Sequence, residues 1–262
     1  MTGCFVNHDG IRFRCQLDGT DGAPWLVFGN SLVTDLTVWD AQVAHLADRF
    51  RTLRYDQRGH GGTGVPDAPA TIEQLAEDAA ALMAHFGAHQ AVFAGVSMGA
   101  ATGFCLAQRH PELVARLVAS DSQAATAPGG AQSWQDRITL GEQEGMGAYA
   151  DVTIQRWFSA RSRAEGNPAI PLVRAMIEAT PLPGFVACAR ALQDYDFRPG
   201  LAAMRQPMLL IAGAEDGPMP KTMQALVPAI PDARYVEVAD AGHLPGIECP
   251  AAFNTALDAF LA

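Results

Sequence analysis

The segment Gly95-Val96-Ser97-Met98-Gly99 separates a short apolar run from a stretch rich in helix-forming residues. When a strand turns at once into a helix, the corner residue is strained and its side chain points outward. Small residues two positions before and after the corner let the neighbouring backbones approach closely. The start of the helix also supplies N–H groups that favour a developing oxyanion. The segment therefore predicts Ser97 as a nucleophile, whereas the alternative is an ordinary loop before a core helix.

Apolar runs typical of strands alternate along the chain with helical patterns. The strand-like runs are residues 5–6, 11–17, 25–28, 50–55, 91–95, 113–119, 208–212 and 234–238. The first two flank a His-Asp-Gly turn and predict an edge hairpin, whereas the others are separated by crossover connections. This order predicts an α/β fold with a mostly parallel, eight-stranded sheet flanked by helices.

The alternation stops between about residues 121 and 206. Helical patterns fill this stretch at residues 132–141, 146–158, 168–179 and 184–192, without a β-branched strand run among them. We interpret residues 123–202 as a helical cap inserted between two strands and lying over the cleft. Residues 1–122 and 203–262 then form the core.

Composition limits the classes of partner. The formal net charge of −10 argues against nucleic acid and against anionic membrane surfaces. Five scattered cysteines without C-x-x-C spacing are typical of reduced thiols, not of a disulfide framework or a zinc site. The chain contains no run of 18 apolar residues, so we expect a soluble cytoplasmic protein. The Gly-rich residues 56–64 contain neither G-x-x-x-x-G-K-[ST] nor G-x-G-x-x-G at the start of a helix, so we do not expect a nucleotide-binding site there.

A neutral serine needs a base, and His243 is the best placed of the seven histidines. It follows a strand and the small pair Ala241-Gly242, so it lies at the same sheet edge as Ser97. His60, in the Gly-rich loop, is the other histidine that approaches this edge, although loop packing explains it as well.

Asp216 is the predicted acid that orients His243. It directly follows the strand at residues 208–212 and gives the chain order Ser97, Asp216, His243, which is the order of an α/β-hydrolase. The competing acids are Glu215, Asp240 and Asp121.

Two backbone N–H groups should form an oxyanion hole. We assign them to Met98, which follows the nucleophile, and to Leu32, in the loop after residue 28. The alternative for that loop is a plain strand-to-helix connection.

Several segments together resemble the 3-oxoadipate enol-lactonases, which are α/β-hydrolases of aromatic degradation. They are Gly29-Asn30-Ser31-Leu32, Asp56-Gln57-Arg58-Gly59-His60-Gly61, Gly95-Val96-Ser97-Met98-Gly99, Arg156-Trp157-Phe158, Gly213-Ala214-Glu215-Asp216 and Ala241-Gly242-His243. The resemblance covers nearly the whole chain. It implies that the lactone ring is opened through an acyl-enzyme, without a cofactor or metal.

The family's substrate carries a carboxylate, so the resemblance also implies a cation near the cleft. The cap offers Arg137, Arg156, Arg161, Arg163, Arg174 and Arg190. We expect Arg137, Trp134 and Trp157 to line the substrate pocket, although surface exposure or cap packing explains them equally.

Three segments depart from the family's pattern. Val33 replaces a glycine and is expected to narrow the cleft, Gly217-Pro218-Met219-Pro220 replaces Pro-x-Thr-Pro, and Leu182-Pro183-Gly184 lacks an acidic residue. The alternatives are therefore a carboxylesterase, a hydrolase of another lactone, a cofactor-free haloperoxidase or perhydrolase with the same three residues, and a non-catalytic ligand-binding module. Ser97 argues against a haloalkane dehalogenase, whose nucleophile is Asp.

Overall fold

A computed structural model describes residues 2–262, and these residues contain one sheet of eight strands. The strands are β1 (Thr2–His8), β2 (Ile11–Gly19), β3 (Trp25–Gly29), β4 (Arg51–Tyr55), β5 (Ala91–Val96), β6 (Val114–Ser120), β7 (Met208–Gly213) and β8 (Ala233–Val238). Their order across the sheet is β1-β2-β4-β3-β5-β6-β7-β8. The predicted α/β-hydrolase sheet is confirmed.

Strand direction follows the predicted connections. The tight turn between β1 and β2 makes an antiparallel hairpin, in which His8 pairs with Ile11, and β2 is also antiparallel to β4. From β4 through β8 all neighbouring strands are parallel. The carboxyl ends of β5, β6, β7 and β8 therefore meet at one edge.

The described residues also contain ten α-helices. They are α1 (Asp40–Leu46), α2 (Ile72–Phe86), α3 (Met98–Arg109), α4 (Gly130–Trp157), α5 (Ala160–Glu165), α6 (Ala169–Ala179), α7 (Leu182–Ala191), α8 (Met219–Leu226), α9 (Pro245–Glu248) and α10 (Pro250–Leu261). Thr71 caps α2, and its hydroxyl accepts a hydrogen bond from Gln74 N at 3.2 Å. Helix α3 packs on β5 and β6, and α2 packs on α3.

Helices α4 to α7 lie between β6 and β7 in the chain, within the segment that we interpret as a cap. The two helices predicted before residue 158 form the single element α4, which is interrupted at Gly145, where φ is +84°. Helix α4 packs on α6 and α7. Helix α7 rests on the Gly-rich loop, because a Cβ on Gly184 would lie 2.1 Å from Gly59 O.

The core lies between the sheet and its helices. Fully buried aromatic side chains form much of it, namely Phe13, Phe28, Phe93, Phe104 and Phe253. Within residues 2–262, no single helix is long and apolar enough to cross a membrane, and the bent pair of α6 and α7 passes that test only when joined.

Candidate active site

Ser97 lies at the sharp corner between β5 and α3. Its φ of +55° and ψ of −114° are strained for a residue with a side chain. A Cβ on Gly95 would lie 2.3 Å from the Gly99 backbone, and a Cβ on Gly99 would lie 2.1 Å from Gly29 O. Both glycines are therefore required for α3 to approach the sheet, which is the reason inferred from the sequence.

His243 and Asp216 meet at the same sheet edge. His243 Nδ1 is 2.7 Å from Asp216 Oδ2, and both side chains are largely buried. This bond leaves Nε2 as the basic nitrogen of the neutral imidazole. His243 N also donates to Trp157 O at 2.7 Å, and the two rings lie 4.9 Å apart. The loop and the end of α4 together hold the imidazole.

A cavity of about 480 Å³ opens onto these groups. Ser97, Asp216 and His243 all line it, on the core side. The residues that line it from the predicted cap include Trp134, Arg137, Arg156, Trp157, Leu192 and Tyr195. All three predicted substrate-binding side chains therefore face one space with the predicted nucleophile and base.

The two predicted oxyanion donors are Leu32 and Met98. Leu32 lines the cavity, in the loop after β3. Met98 is the first residue of α3, and the first N–H groups of a helix have no acceptor within it. Both N–H groups are therefore suited to bind an anionic oxygen beside Ser97.

Arg137 is a half-buried cation beside the predicted nucleophile. Its guanidinium lies 4.3 Å from the centre of the Trp134 ring, a cation–π contact. Burial, and next the charge of Arg156, lower the pKa of Arg137 to about 10. Among residues 2–262, neither Arg137 nor Arg156 forms an ion pair with an acidic side chain. A cation held in this way is suited to bind an anionic ligand.

The competing acids have other partners. Asp240 is exposed and pairs with Arg161 at 3.0 Å, and Glu215 accepts a hydrogen bond from Ala160 N at 2.9 Å. Asp121 is buried at the cavity wall, and its Oδ1 accepts from Gly213 N at 2.8 Å. None of these contacts is to His243.

His60 belongs to the packed loop. It is fully buried, Nδ1 lies 3.0 Å from Arg58 O, and burial lowers its pKa to about 4. The ring is therefore neutral at pH 7, and it packs within the loop.

One expectation from the departures needs correction. Val33 does not narrow the cleft, because its side chain is fully buried in the core. Its left-handed φ of +56° turns the chain after Leu32, and a glycine would adopt this conformation more readily. Leu182 lines a separate surface groove with Pro66 and Glu142. The departure that does reach the cavity is Gly217-Pro218-Met219.

Glu248 makes two contacts that were not predicted from the sequence. Its buried carboxylate accepts from Gly242 N at 2.8 Å and from Ser159 N at 2.9 Å. It thereby ties the His243 loop to the end of α4. The available signal was an acidic residue five positions after His243, between a proline and a cysteine in an otherwise apolar turn.

The strained serine at a strand–helix corner, the Asp216–His243 pair and the parallel sheet define an α/β-hydrolase. The family model for the alpha/beta hydrolase fold matches residues 24–250. The chain belongs to this family, and the class of enzyme is a hydrolase.

Individual relatives narrow the resemblance. The chain is 32% identical to 3-oxoadipate enol-lactonase 2 of Acinetobacter baylyi, over 93% of this chain and 90% of that protein. The enol-lactonase from Burkholderia xenovorans LB400 is 36% identical, with a TM-score of 0.93 over 98% of this chain and 99% of that chain. A thermophilic esterase from Thermogutta terrifontis is 30% identical, with a TM-score of 0.91 over 100% and 98% of the two chains. The resemblance to the enol-lactonases is confirmed.

Proposed function

We propose that this protein is a serine hydrolase that opens a carboxylate-bearing lactone, namely 3-oxoadipate enol-lactone, to give 3-oxoadipate. We further propose that it acts in aromatic catabolism in the cytoplasm. The observation that carries the substrate proposal is the cavity, in which Ser97 and His243 share one space with the unpaired Arg137. The enol-lactonase relatives support the same reaction.

The first half of the reaction acylates the serine. His243 Nε2 takes the proton of Ser97 Oγ, and Oγ forms a bond to the lactone carbonyl carbon. The negative oxygen of the tetrahedral intermediate binds the N–H groups of Leu32 and Met98, and losing one such donor typically costs about 3–4 kcal/mol. The ring C–O bond then breaks, and the departing enolate takes the proton from His243 and becomes a ketone. Asp216 stabilises the imidazolium while it carries the proton.

The second half releases the product. Water gives a proton to His243 Nε2 and attacks the acyl carbon, and the Ser97 C–O bond breaks as that proton returns to Oγ. Arg137 and Arg156 bind the carboxylate that does not react. They hold the lactone carbonyl near Ser97 and supply the positive charge that an anion requires on leaving water.

The test follows the ultraviolet absorbance of 3-oxoadipate enol-lactone with the wild-type protein and with Ser97→Ala. We expect a kcat/KM of at least about 10⁵ M⁻¹s⁻¹, lost in the variant. Thr255→Ala, which removes an exposed hydroxyl of α10 outside the cavity, is the control and should retain the activity. A fluorophosphonate probe measures the reactivity of Ser97 independently of the lactone.

The outcomes separate the alternatives. Labelling of Ser97 without lactone turnover would retain the hydrolase and refute the lactone, and rapid turnover of simple esters would then indicate a carboxylesterase. Peroxide-dependent halogenation would indicate a haloperoxidase. Failure of Ser97 to react with the probe would refute the serine mechanism itself.

A further inference from the structure

A second carboxyl group lies behind the Asp216–His243 pair. Asp121 follows β6 and Asp216 follows β7, and these strands are parallel neighbours in which Ser120 pairs with Ile211. Asp121 is 1% exposed and Asp216 is 7% exposed. Two acidic side chains are therefore buried together at the strand ends that hold His243 in place.

Asp121 is bonded to the turn that carries Asp216. Its Oδ1 accepts from Gly213 N at 2.8 Å, and Gly213 O accepts from Asp216 N at 3.0 Å. Its Oδ2 is 2.5 Å from Ser120 Oγ, and its side chain also contacts that of Asp216. The backbone at Asp121 is left-handed, with φ of +48°, a conformation that Asp and Asn tolerate better than most residues.

The charges around Asp121 do not favour a second anion. The titratable groups that face it are Asp216, Tyr235 and, beyond Asp216, His243. No Lys, Arg or His in residues 2–262 forms an ion pair with Asp121. Burial, and next the charge of Asp216, raise the pKa of Asp121 well above its usual range. Two adjacent buried carboxyls favour one shared proton, because a second negative charge there is unfavourable.

We propose that Asp121 is a positioning residue that keeps this proton and donates it as a hydrogen bond to the Asp216 carboxylate. The acid behind His243 is then a carboxyl–carboxylate pair with one negative charge. The proposal rests on the proposed serine mechanism for its kinetic consequence, but the proton itself does not depend on any substrate. Asp121 orients Asp216 directly and, through Gly213, fixes the turn on which Asp216 stands.

Asp121→Asn tests the charge. Asparagine has the same shape, tolerates the left-handed backbone, accepts from Gly213 N and donates to Asp216, but it carries no titratable proton. If Asp121 is neutral in the wild type, this variant preserves the local charge. We expect kcat/KM for 4-nitrophenyl acetate within about threefold of wild type, and an unchanged acid limb of the pH profile. A carboxyl C=O band in the infrared spectrum should disappear in the variant.

Asp121→Gly tests the positioning. Glycine accepts the positive φ without strain but removes the side-chain hydrogen bonds to Gly213, Ser120 and Asp216. We expect kcat to fall at least about tenfold with little change in KM. Gly129→Ala, at an exposed position with open space around it but a φ of +76°, strains the backbone away from Asp121 and is a control for general effects on stability.

Two results would overturn the proposal. One is an acid limb that moves down by a unit or more in Asp121→Asn, because that shift means a negative charge has been lost. The other is wild-type kinetics in a folded Asp121→Gly variant. The infrared band distinguishes this failure from failure of the proposed function, since the band is measured without turnover.

Discussion

Replacing Arg137 by glutamine should weaken the binding of a carboxylate-bearing substrate selectively. A hydrogen bond to a charged group contributes about 1.5–3 kcal/mol, which corresponds to about 10- to 150-fold in affinity. Arg137 is only half-buried, and Arg156 remains in the same cavity, so solvent and the second cation reduce the loss. We therefore expect kcat/KM for 3-oxoadipate enol-lactone to fall by about 10- to 30-fold.

The loss should appear in KM. The carboxylate does not react, so its contact with Arg137 is equally strong in the ground state and the transition state, and kcat stays unchanged. The assay compares the lactone with the neutral 4-nitrophenyl acetate, for which the variant should match wild type. Arg190→Gln is the matched control, because Arg190 is an exposed arginine of α7 that does not line the cavity.

Stability gives an independent readout. Arg137 carries its charge without an acidic partner and close to Arg156, so Arg137→Gln should leave Tm unchanged or raise it slightly. Equal loss of lactone and neutral-ester activity would refute the reasoning, since it would mean general damage to the cavity. Wild-type KM for the lactone would refute it as well.

Two further predictions concern the contact between the His243 loop and the end of α4, and the break within α4. Glu248→Gln loses one of the two carboxylate oxygens that accept from Ser159 N and Gly242 N. An unpaired buried N–H costs about 1–3 kcal/mol, so we expect a lower Tm in thermal melts and a lower kcat in ester assays. In Gly145→Ala the added Cβ meets no atom within 4 Å, but the φ of +84° is strained for alanine, so the fold should be destabilised by about 1–2 kcal/mol. Gly147 is equally open and has no positive φ, so Gly147→Ala should stabilise the fold by about 0.5–1 kcal/mol. Denaturant unfolding measures both.

The core of the site was predictable because local sequence and topology determine it. The apolar run and the glycines around Ser97 have one compact solution, a strand–helix corner, and the structure gives the contacts that demand it. Placing Asp216 and His243 required only that parallel strands end at one edge. The acid that orients His243 was harder to assign, because Asp121 also follows a strand. Only the hydrogen bond between His243 and Asp216 identifies Asp216 as that acid.

Side-chain direction in the cap was not predictable in the same way. Four of the six cap arginines stand in the predicted helical patterns, and the sequence does not show that Arg137 and Arg156 line the cavity with Ser97. Val33 was misjudged for a related reason, since its left-handed backbone directs the side chain into the core. Glu248 was missed because its two N–H partners come from distant parts of the chain.

In the proposed mechanism, helix α4 carries residues for both substrate binding and positioning of the base, and it is interrupted at Gly145. Its first half carries Trp134 and Arg137, which line the cavity, and its last residue, Trp157, binds the His243 backbone and stacks near the imidazole. Gly145 interrupts the helix between these two groups of residues. We therefore expect substitutions that change which carboxylate-bearing substrate is preferred, without lowering kcat, to lie before this break. Substitution of Trp157, beyond the break, should instead change the position of His243 and reduce turnover of every substrate.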